Sequence, residues 1–543
     1  MRSGEAFLNR GVLSRLAIGL LCIGAVVLVI SATRFGAGIG GDGVAYVAGA
    51  RNLLQGLGFS WVGPQGDIRP TTIFGPLFPV LLSAIGWAGV DPLVGARWLN
   101  AVLFGLNVAL CVYILYRSTS ESWAPLLGAV LVIFSPVILS AHAGAISEPT
   151  FLAFFLAAMI ALDRYLEGGK RGWLVLSAGL AGLSYLARYV GLTVIAAGAA
   201  TLLLAGTGDR RRKLIDLLGY VAVASIIVVP WLARNAMAGG SATARTLVVL
   251  LPDRAFLGVV AELVAYWFLP ERIPLTWRIA MIFIGAAVVA AILLRIRHAL
   301  WGGEAAAPAP GARNRRWARI LGIQFLVYGA GVLAARILFV PRISIDERIL
   351  LPLLLLILLL ALVLAWRVRS AMGERSWLSR AAVAFLFLLA VSYLVRGGVR
   401  ALLLQLDGQG FASRSWQGSP LMNAMSLLPT ETPIYTNEVE AVYLLGGRSA
   451  YRLPTGCLPE DTLQVAVEAA ECRTGEYREW ADAMRSSVET EAAVVALFDS
   501  FREQPYYAPV AEELVEGLDV LTSQGDGRLY VYDRSEWPES PHW

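Results

Sequence analysis

A single acid, Asp42, stands among glycines in GIGGDGVAYVAGARNLLQGLGFS, residues 38–60, just beyond the first long apolar run. A carboxylate there can act as a general base or cap a helical pattern over 43–56, and the residues alone leave both open. A second acid, Glu148 in HAGAISEP (142–149), heads another helical pattern, where a negative charge also suits the helix dipole. Four arginines sit at the ends of apolar runs: Arg97, Arg188, Arg234 and Arg348. An arginine offers a planar fork of donors to an oxyanion. Tyr46, His142 and Tyr189 lie near Asp42, Glu148 and Arg188 in sequence.

The elements that must position these residues are membrane helices. The 543-residue chain is 57% hydrophobic with a mean hydropathy of +0.63, and apolar runs of about 18 or more residues recur along it. Basic clusters fix the expected topology, because positive residues stay cytoplasmic. They are Arg117; Arg164 with Lys170 and Arg171; GDRRRK at 208–213; the stretch 295–319; and 367–380. All fall inside if 172–206 crosses twice, turning near Arg188. Spans are then expected at 16–33, 95–116, 123–141, 149–166, 172–187, 190–206, 214–232, 276–294, 318–339, 348–366 and 379–396. That is an α-helical polytopic membrane protein with about eleven transmembrane helices, the N-terminus cytoplasmic. The first apolar run reads as a retained helix and not a cleaved signal peptide. The stretches 73–90 and 247–270 read as juxtamembrane or membrane-surface helices, since counting either as a span reverses the later loops. Asp42 then lies outside, at the head of a first outer loop of about 34–94, and the other candidates border outer helix ends. Ionisable residues so placed are functional candidates.

Two domains are expected, 1–396 in the membrane and 397–543 outside it. From Gly397 onward there are 10 arginines against 23 acids, a net of −13, while the whole chain is +5. The tail alternates strand-like PIYTN, AYRLP, AVVALF and RLYVYD with helical EVEAVYLLGG, which reads as a small extracytoplasmic α/β domain. It lacks a phosphate-cradling glycine loop or a nucleophile elbow. Cys22 and Cys111 read as small buried hydrophobes; Cys457 and Cys472 are free to pair in an oxidising compartment. No cysteine–histidine cluster has zinc-ligand spacing, and the scattered basic turns imply no nucleic-acid partner.

The order of these features resembles the GT-C superfamily of polytopic glycosyltransferases, notably bacterial relatives of protein O-mannosyltransferases and lipid A aminoarabinose transferases. Five stretches carry it: GDGVAYVAGARNLLQG after the first span; TTIFGPLFPVLLSAIGWAG followed by GARWLN; SPVILSAHAGAISEPTFLAFFLAAMIALDRYL; GLSYLARYVGL then PWLARN; and ERILLPLLLLILLL. TNEVEAVYLLGGRSAYRLP looks like the outer domain of bacterial members. The likeness lies in order and spans nearly the whole chain; no single motif is specific. The first acid stands alone, where many relatives carry a second beside it; Asp67 is the nearest other carboxylate in that loop.

The resemblance implies inverting transfer of a sugar, hexosyl or pentosyl, from a polyprenyl-phosphate donor to a cell-envelope polysaccharide, lipid or protein, on the outer face of a bacterial cytoplasmic membrane. It implies Asp42 as general base and Glu148 as a second catalytic acid, touching acceptor or metal. Arg188, Arg348, Arg234 and Arg97 are then donor-phosphate ligands, with Tyr46, His142 and Tyr189 lining the pocket. Plainer roles stand beside these: Arg97 snorkelling from its helix end, Arg348 satisfied by Asp346 or Glu347, Tyr46 packing, His142 an interfacial polar residue. No cofactor is expected, and a divalent ion bridging Asp42 and Glu148 is the less favoured reading. The competing class is a transporter or lipid flippase. It calls for polar broken helices at mid-membrane and an internal repeat, and no clear repeat is found. A non-catalytic envelope scaffold is the third reading.

Overall fold

The computed structural model describes residues 2–62, 68–119, 121–206, 208–243, 245–249, 251, 254–285, 287, 309–340, 345–454, 475–503 and 511–537. Asp67, Cys457, Cys472 and most of 286–294 lie outside the described residues.

Along the chain run helix α1 (Arg2–Ala32), α2 (Gly41–Leu54), the hairpin β1 (Ser60–Val62) and β2 (Ile68–Pro70), α3 (Leu77–Gly86) and α4 (Pro92–Ser118). Then come α5 (Trp123–Ile133), α6 (Pro136–Ala143), α7 (Glu148–Gly168), α8 (Arg171–Ala187), α9 (Leu192–Ala205) and α10 (Arg210–Gly239). A two-residue strand β3 (Thr246–Leu247) precedes α11 (Arg254–Phe268), α12 (Leu275–Gly285), α13 (Ala309–Leu338) and β4 (Phe339–Val340). α14 (Glu347–Met372) and α15 (Trp377–Asp407) complete the apolar helices.

Six helices among the described residues are long and apolar enough to cross a membrane: α4, α7, α10, α14, α15 and Gly311–Leu338 of α13. A seventh candidate is α5 with α6, bent by 58° at the break where Ser135 caps α6 by accepting from Ile138 N. The count of about eleven is not reached by this measure. Leu16–Ala32, α8 and Tyr189–Ala205 are 17 residues each, roughly 26 Å of helix at 1.5 Å per residue. That falls short of a ~30 Å hydrocarbon core. The expected break in 172–206 is present: α8 ends at Ala187, Arg188 is extended, and a single 3-10 turn at Tyr189–Gly191 starts α9.

The chain forms two compact units, Met1–Arg34 with Thr72–Leu406, and Phe35–Thr71 with Asp407–Trp543. The expected domain boundary at 396 falls inside α15, because GGVRALLLQLD contains no proline and is rich in helix formers. The segment expected as a loop of the membrane domain, 35–71, joins the second unit.

In the first unit α14 is the central post. Leu351, Leu354, Leu356 and Leu362 are wholly buried in a cluster shared with α4, α5, α7 and α13. Apolar helices gain little from one another in lipid, so close packing and polar bonds must join them. At the α7–α8 contact Ser177 Oγ donates to Ala158 O at 2.9 Å, while Gly182 of α8 lets Ile227 and Ala224 of α10 approach closely. Near the C-terminal end of α7, Asp163 accepts from Arg117 (2.8 Å) and Arg316 (2.5 Å), tying α7 to α4 and α13.

In the second unit the tail holds α16 (Arg414–Gln417), α17 (Pro420–Ser426), β5 (Ile434–Thr436), α18 (Val439–Gly446), β6 (Tyr451–Arg452), α19 (Gly475–Thr490), β7 (Val494–Phe498), α20 (Ala511–Leu514), β8 (Asp519–Gln524) and β9 (Gly527–Val531). The sheet order is β6-β5-β7-β9-β8, with β5 parallel to β6 and β7 and the β8–β9 hairpin antiparallel. β7 is buried on both faces, as an inner strand covered on two sides must be. Val494, Ala496 and Phe498 meet α17 and α18; Val495 and Leu497 meet α19 and α20. The four strand-like stretches expected from sequence are all present, and β8 is additional.

Candidate active site

In the first unit the site is built on the N-terminus of α7. Asn100 and Asn107, seven apart on one face of α4, hold the approach to it. Asn100 Nδ2 donates to Gly144 O (2.6 Å) and Ile146 O (3.1 Å), and Asn107 Nδ2 to Pro149 O (3.0 Å). Glu148 follows, 2% exposed, with Pro149 in the first turn. Its Oε1 accepts from Arg188 Nη1 at 2.6 Å and from Arg348 Nε at 2.6 Å. Its Oε2 is buried with no hydrogen-bond partner among the described residues. Arg188 reaches this point because α8 stops beneath it. Gly191 is required just after, since a Cβ there would lie 2.4 Å from Tyr185 N. Arg348 is delivered by the first turn of α14, where Asp346 caps the helix by accepting from Ile349 N at 2.9 Å. Asp346 thus binds backbone, and Arg348 Nε donates to Glu148 Oε1 from the far side of the sequence.

Beside the Arg188 turn, the Tyr189 hydroxyl donates to Thr72 O (2.6 Å) and accepts from Trp231 Nε1 (3.1 Å) and Asn235 Nδ2 (3.0 Å). Arg234 joins this group, bonding Asn235 Oδ1 at 3.1 Å and lying 4.9 Å over the Trp231 ring. The structure thus brings Glu148, Arg188 and Arg348 together, and Tyr189 with Arg234 next along the same turn.

Two candidates stand elsewhere. Arg97 donates to Ile30 O (2.9 Å), one of the C-terminal carbonyls of α1, and to the Thr33 hydroxyl (3.0 Å). His142 is 1% exposed. Its Nδ1 donates to Ile138 O (2.7 Å), so Nε2 accepts from Asn107 (3.0 Å), and the ring lies 4.4 Å from Phe104. Both nitrogens are committed inside the packing.

Asp42 belongs to the second unit. It is in the first turn of α2, half-buried, and the N-cap is Gly40 with no side-chain cap bond. The expected N-cap role is corrected: the helix begins one residue before Asp42, too early for it to cap. Tyr46, one turn on, is 3% exposed. Among the described residues no group of three or more His, Cys, Asp or Glu side chains could hold a metal ion. The sequence reading missed Asn100, Asn107, Trp231 and Asn235. The signal was there for the first two, because an asparagine inside an apolar span must find a partner.

Residues 77–237 match the family of dolichyl-phosphate-mannose-protein mannosyltransferases. Among solved structures the chain is similar to ArnT from Cupriavidus metallidurans bound to undecaprenyl phosphate, at 14% identity and a TM-score of 0.56, covering 96% of this chain and 99% of that one. The apo structure of that protein matches at 15% identity and 0.56, over 96% and 98%. The archaeal oligosaccharyltransferase AglB from Archaeoglobus fulgidus gives a TM-score of 0.46 at 15% identity, over 95% and 74%. No curated protein sequence matches. The mannosyltransferase family match lies within the first unit, and the chain shares the ArnT fold over nearly its whole length.

Proposed function

We propose that the chain transfers a sugar from a polyprenyl-phosphate donor to a hydroxyl of a cell-envelope acceptor, with inversion, on the outer face of the cytoplasmic membrane. The observation that carries this reading is the convergence of Arg188 and Arg348 on one carboxylate oxygen. Two guanidiniums and one carboxylate make a net positive trio at a helix N-terminus, which favours an anion. The solved structure of the fold-mate ArnT with undecaprenyl phosphate supports the donor class.

In this reading the acceptor oxygen attacks the anomeric carbon as the carbon–oxygen bond to phosphate breaks. The hydroxyl proton passes to Asp42, and the charge left on the polyprenyl phosphate is met by Arg188 and Arg348. Glu148 positions both arginines. Its place under two guanidiniums supports that role over direct contact with the acceptor. Arg234 extends the same cationic surface, since it bonds Asn235 Oδ1 while Asn235 Nδ2 donates to the Tyr189 hydroxyl. Holding both partners in line supplies much of the rate.

The test is native mass spectrometry of the Asp42→Asn protein purified in lipid. A retained polyprenyl-phosphate sugar is the expected result, and its mass names the sugar. Recovery of no such lipid, or full transfer by the variant, overturns the reading and moves weight to a transporter.

A further inference from the structure

The second unit contains a strap that sets where Asp42 sits. Between α1 and α2 the chain runs through Phe35–Gly40 without helix. That segment is held by the residues that follow α15. Ile39 pairs with Gly410 in a parallel bridge, and Phe411 N donates to Ile39 O at 2.8 Å. Gln417 Nε2, on α16, donates to Phe35 O at 2.8 Å. Gly410 has φ of +58°, and a Cβ on it would stand 2.1 Å from Ile39 O. No other residue type allows so close a backbone approach. Ile39 itself is 2% exposed.

The far end of α2 is gripped as well. Asn52 Nδ2 donates to Ser60 O at 3.1 Å, and Arg51 lies 6.0 Å over the ring of Tyr443 on α18. The helix that bears Asp42 is therefore fixed at both ends by its own unit, three residues beyond the Ile39–Gly410 bridge.

We infer that Gly410 and Gln417 are positioning residues for Asp42, and that the tail's first role is to fix the α2 carboxylate against the reacting hydroxyl. The inference rests on the proposed base role of Asp42. A general base acts only within hydrogen-bond reach of its proton, and about 1 Å of misplacement from a distant change can cost about a hundredfold in rate. A carboxylate on a glycine-rich hinge would not hold such a place alone. The strap removes that freedom at two points, the main-chain contacts at Ile39 and the Gln417 side-chain bond to Phe35 O.

The test compares the parent, Gln417→Glu and Gly410→Ala in nanodiscs, supplied with the sugar lipid extracted from the Asp42→Asn protein. Gln417→Glu replaces a donor to Phe35 O by a group that only accepts, and Gly410→Ala pushes on Ile39 O. Expected are a fall in kcat of about tenfold to a hundredfold, a donor KM within about threefold of the parent, and unchanged retention of undecaprenyl phosphate in native mass spectra. Hydrogen exchange should quicken at the amides of residues 39–44. Unchanged kcat in Gln417→Glu overturns the inference, as does a fall in kcat matched by loss of undecaprenyl phosphate binding. If Gly410→Ala does not fold, Gln417→Glu decides alone. Full turnover by Asp42→Asn overturns the base role; an inactive Asp42→Asn beside fully active strap variants overturns the strap only.

Discussion

Arg348 Nε lies 2.6 Å from Glu148 Oε1 across 200 positions of sequence. Arg188 Nη1 reaches the same oxygen at 2.6 Å. Two guanidiniums drawn this close repel one another, and the shared carboxylate is what permits the arrangement. Glu148 thereby fixes α8, α14 and α7 at one point, so its chemistry is first electrostatic and positional.

Removing that carboxylate should separate charge from shape. Glu148→Gln is expected to lower transfer by at least tenfold and raise donor KM, because the amide leaves two guanidiniums facing each other. Breaking a buried ion pair also costs about 3–5 kcal/mol, so the unfolding temperature should fall with it. Steady-state rates and thermal unfolding in nanodiscs check both. Normal donor KM in a folded Glu148→Gln protein would sink the positioning role.

Arg348→Lys keeps the charge and loses the planar fork. Its donor KM should rise by several fold, and Arg348→Ala should raise it further. The double change with Arg188→Ala should cost less than the sum of the two singles, since both act through one carboxylate oxygen. A double-mutant cycle on kcat/KM measures the coupling.

How much of this was legible in the sequence follows from the range of each signal. SEP announced a helix start at Glu148, because a carboxylate and a proline in a first turn are local devices. RYVGL announced the turn at Arg188 from the topology of basic residues. The partner of Arg348 was not readable: Asp346 and Glu347 are neighbours in sequence, and Glu148 is supplied by packing across α14 and α7. The enclosure of His142 within the packing was not readable from its place at the end of an apolar run. Only the 58° bend between α5 and α6 and the ring of Phe104 make its site internal. The strap at Gly410 is likewise a long-range contact between two glycine-rich stretches, and composition alone marks each merely as a turn. The tail's α/β order was visible, since short strands and one helix declare themselves by local pattern.

Chelation should leave transfer unchanged. In the proposed reading Arg188 and Arg348 supply the positive charge that meets the leaving phosphate. Treatment with EDTA is expected to alter the initial rate by less than twofold. A loss restored by magnesium or manganese would reassign part of the phosphate's charge balance to an ion.

Tyr189→Phe tests a residue that the sequence offered as pocket lining. Its hydroxyl serves Thr72, Trp231 and Asn235 at once, so removing it strands buried groups at a cost of about 1–3 kcal/mol. The expected result is a lower unfolding temperature with donor KM within about twofold. A large rise in donor KM at unchanged stability would return Tyr189 to the ligand surface.

The opposite end of α7 gives the control for all of these. Asp163, whose side chain is 1% exposed, accepts from Arg117 at 2.8 Å and Arg316 at 2.5 Å, while Glu167 accepts from Arg117 at 2.5 Å and Arg313 at 3.0 Å. This network joins three helices that otherwise share mainly apolar contacts. Asp163→Ala leaves two largely buried guanidiniums without their common acceptor, a loss of about 3–5 kcal/mol; Asp163→Asn retains an acceptor and should lose less. Fifteen residues of helix separate Asp163 from Glu148, roughly 22 Å, and each carboxylate is balanced by its own arginines. Both variants should therefore unfold earlier while turning over normally per folded molecule. Thermal unfolding alongside rates normalised to folded protein checks this. A drop in kcat at full folding would mean that strain at the far end of α7 reaches Glu148 along the helix, and that the two carboxylate clusters work as one.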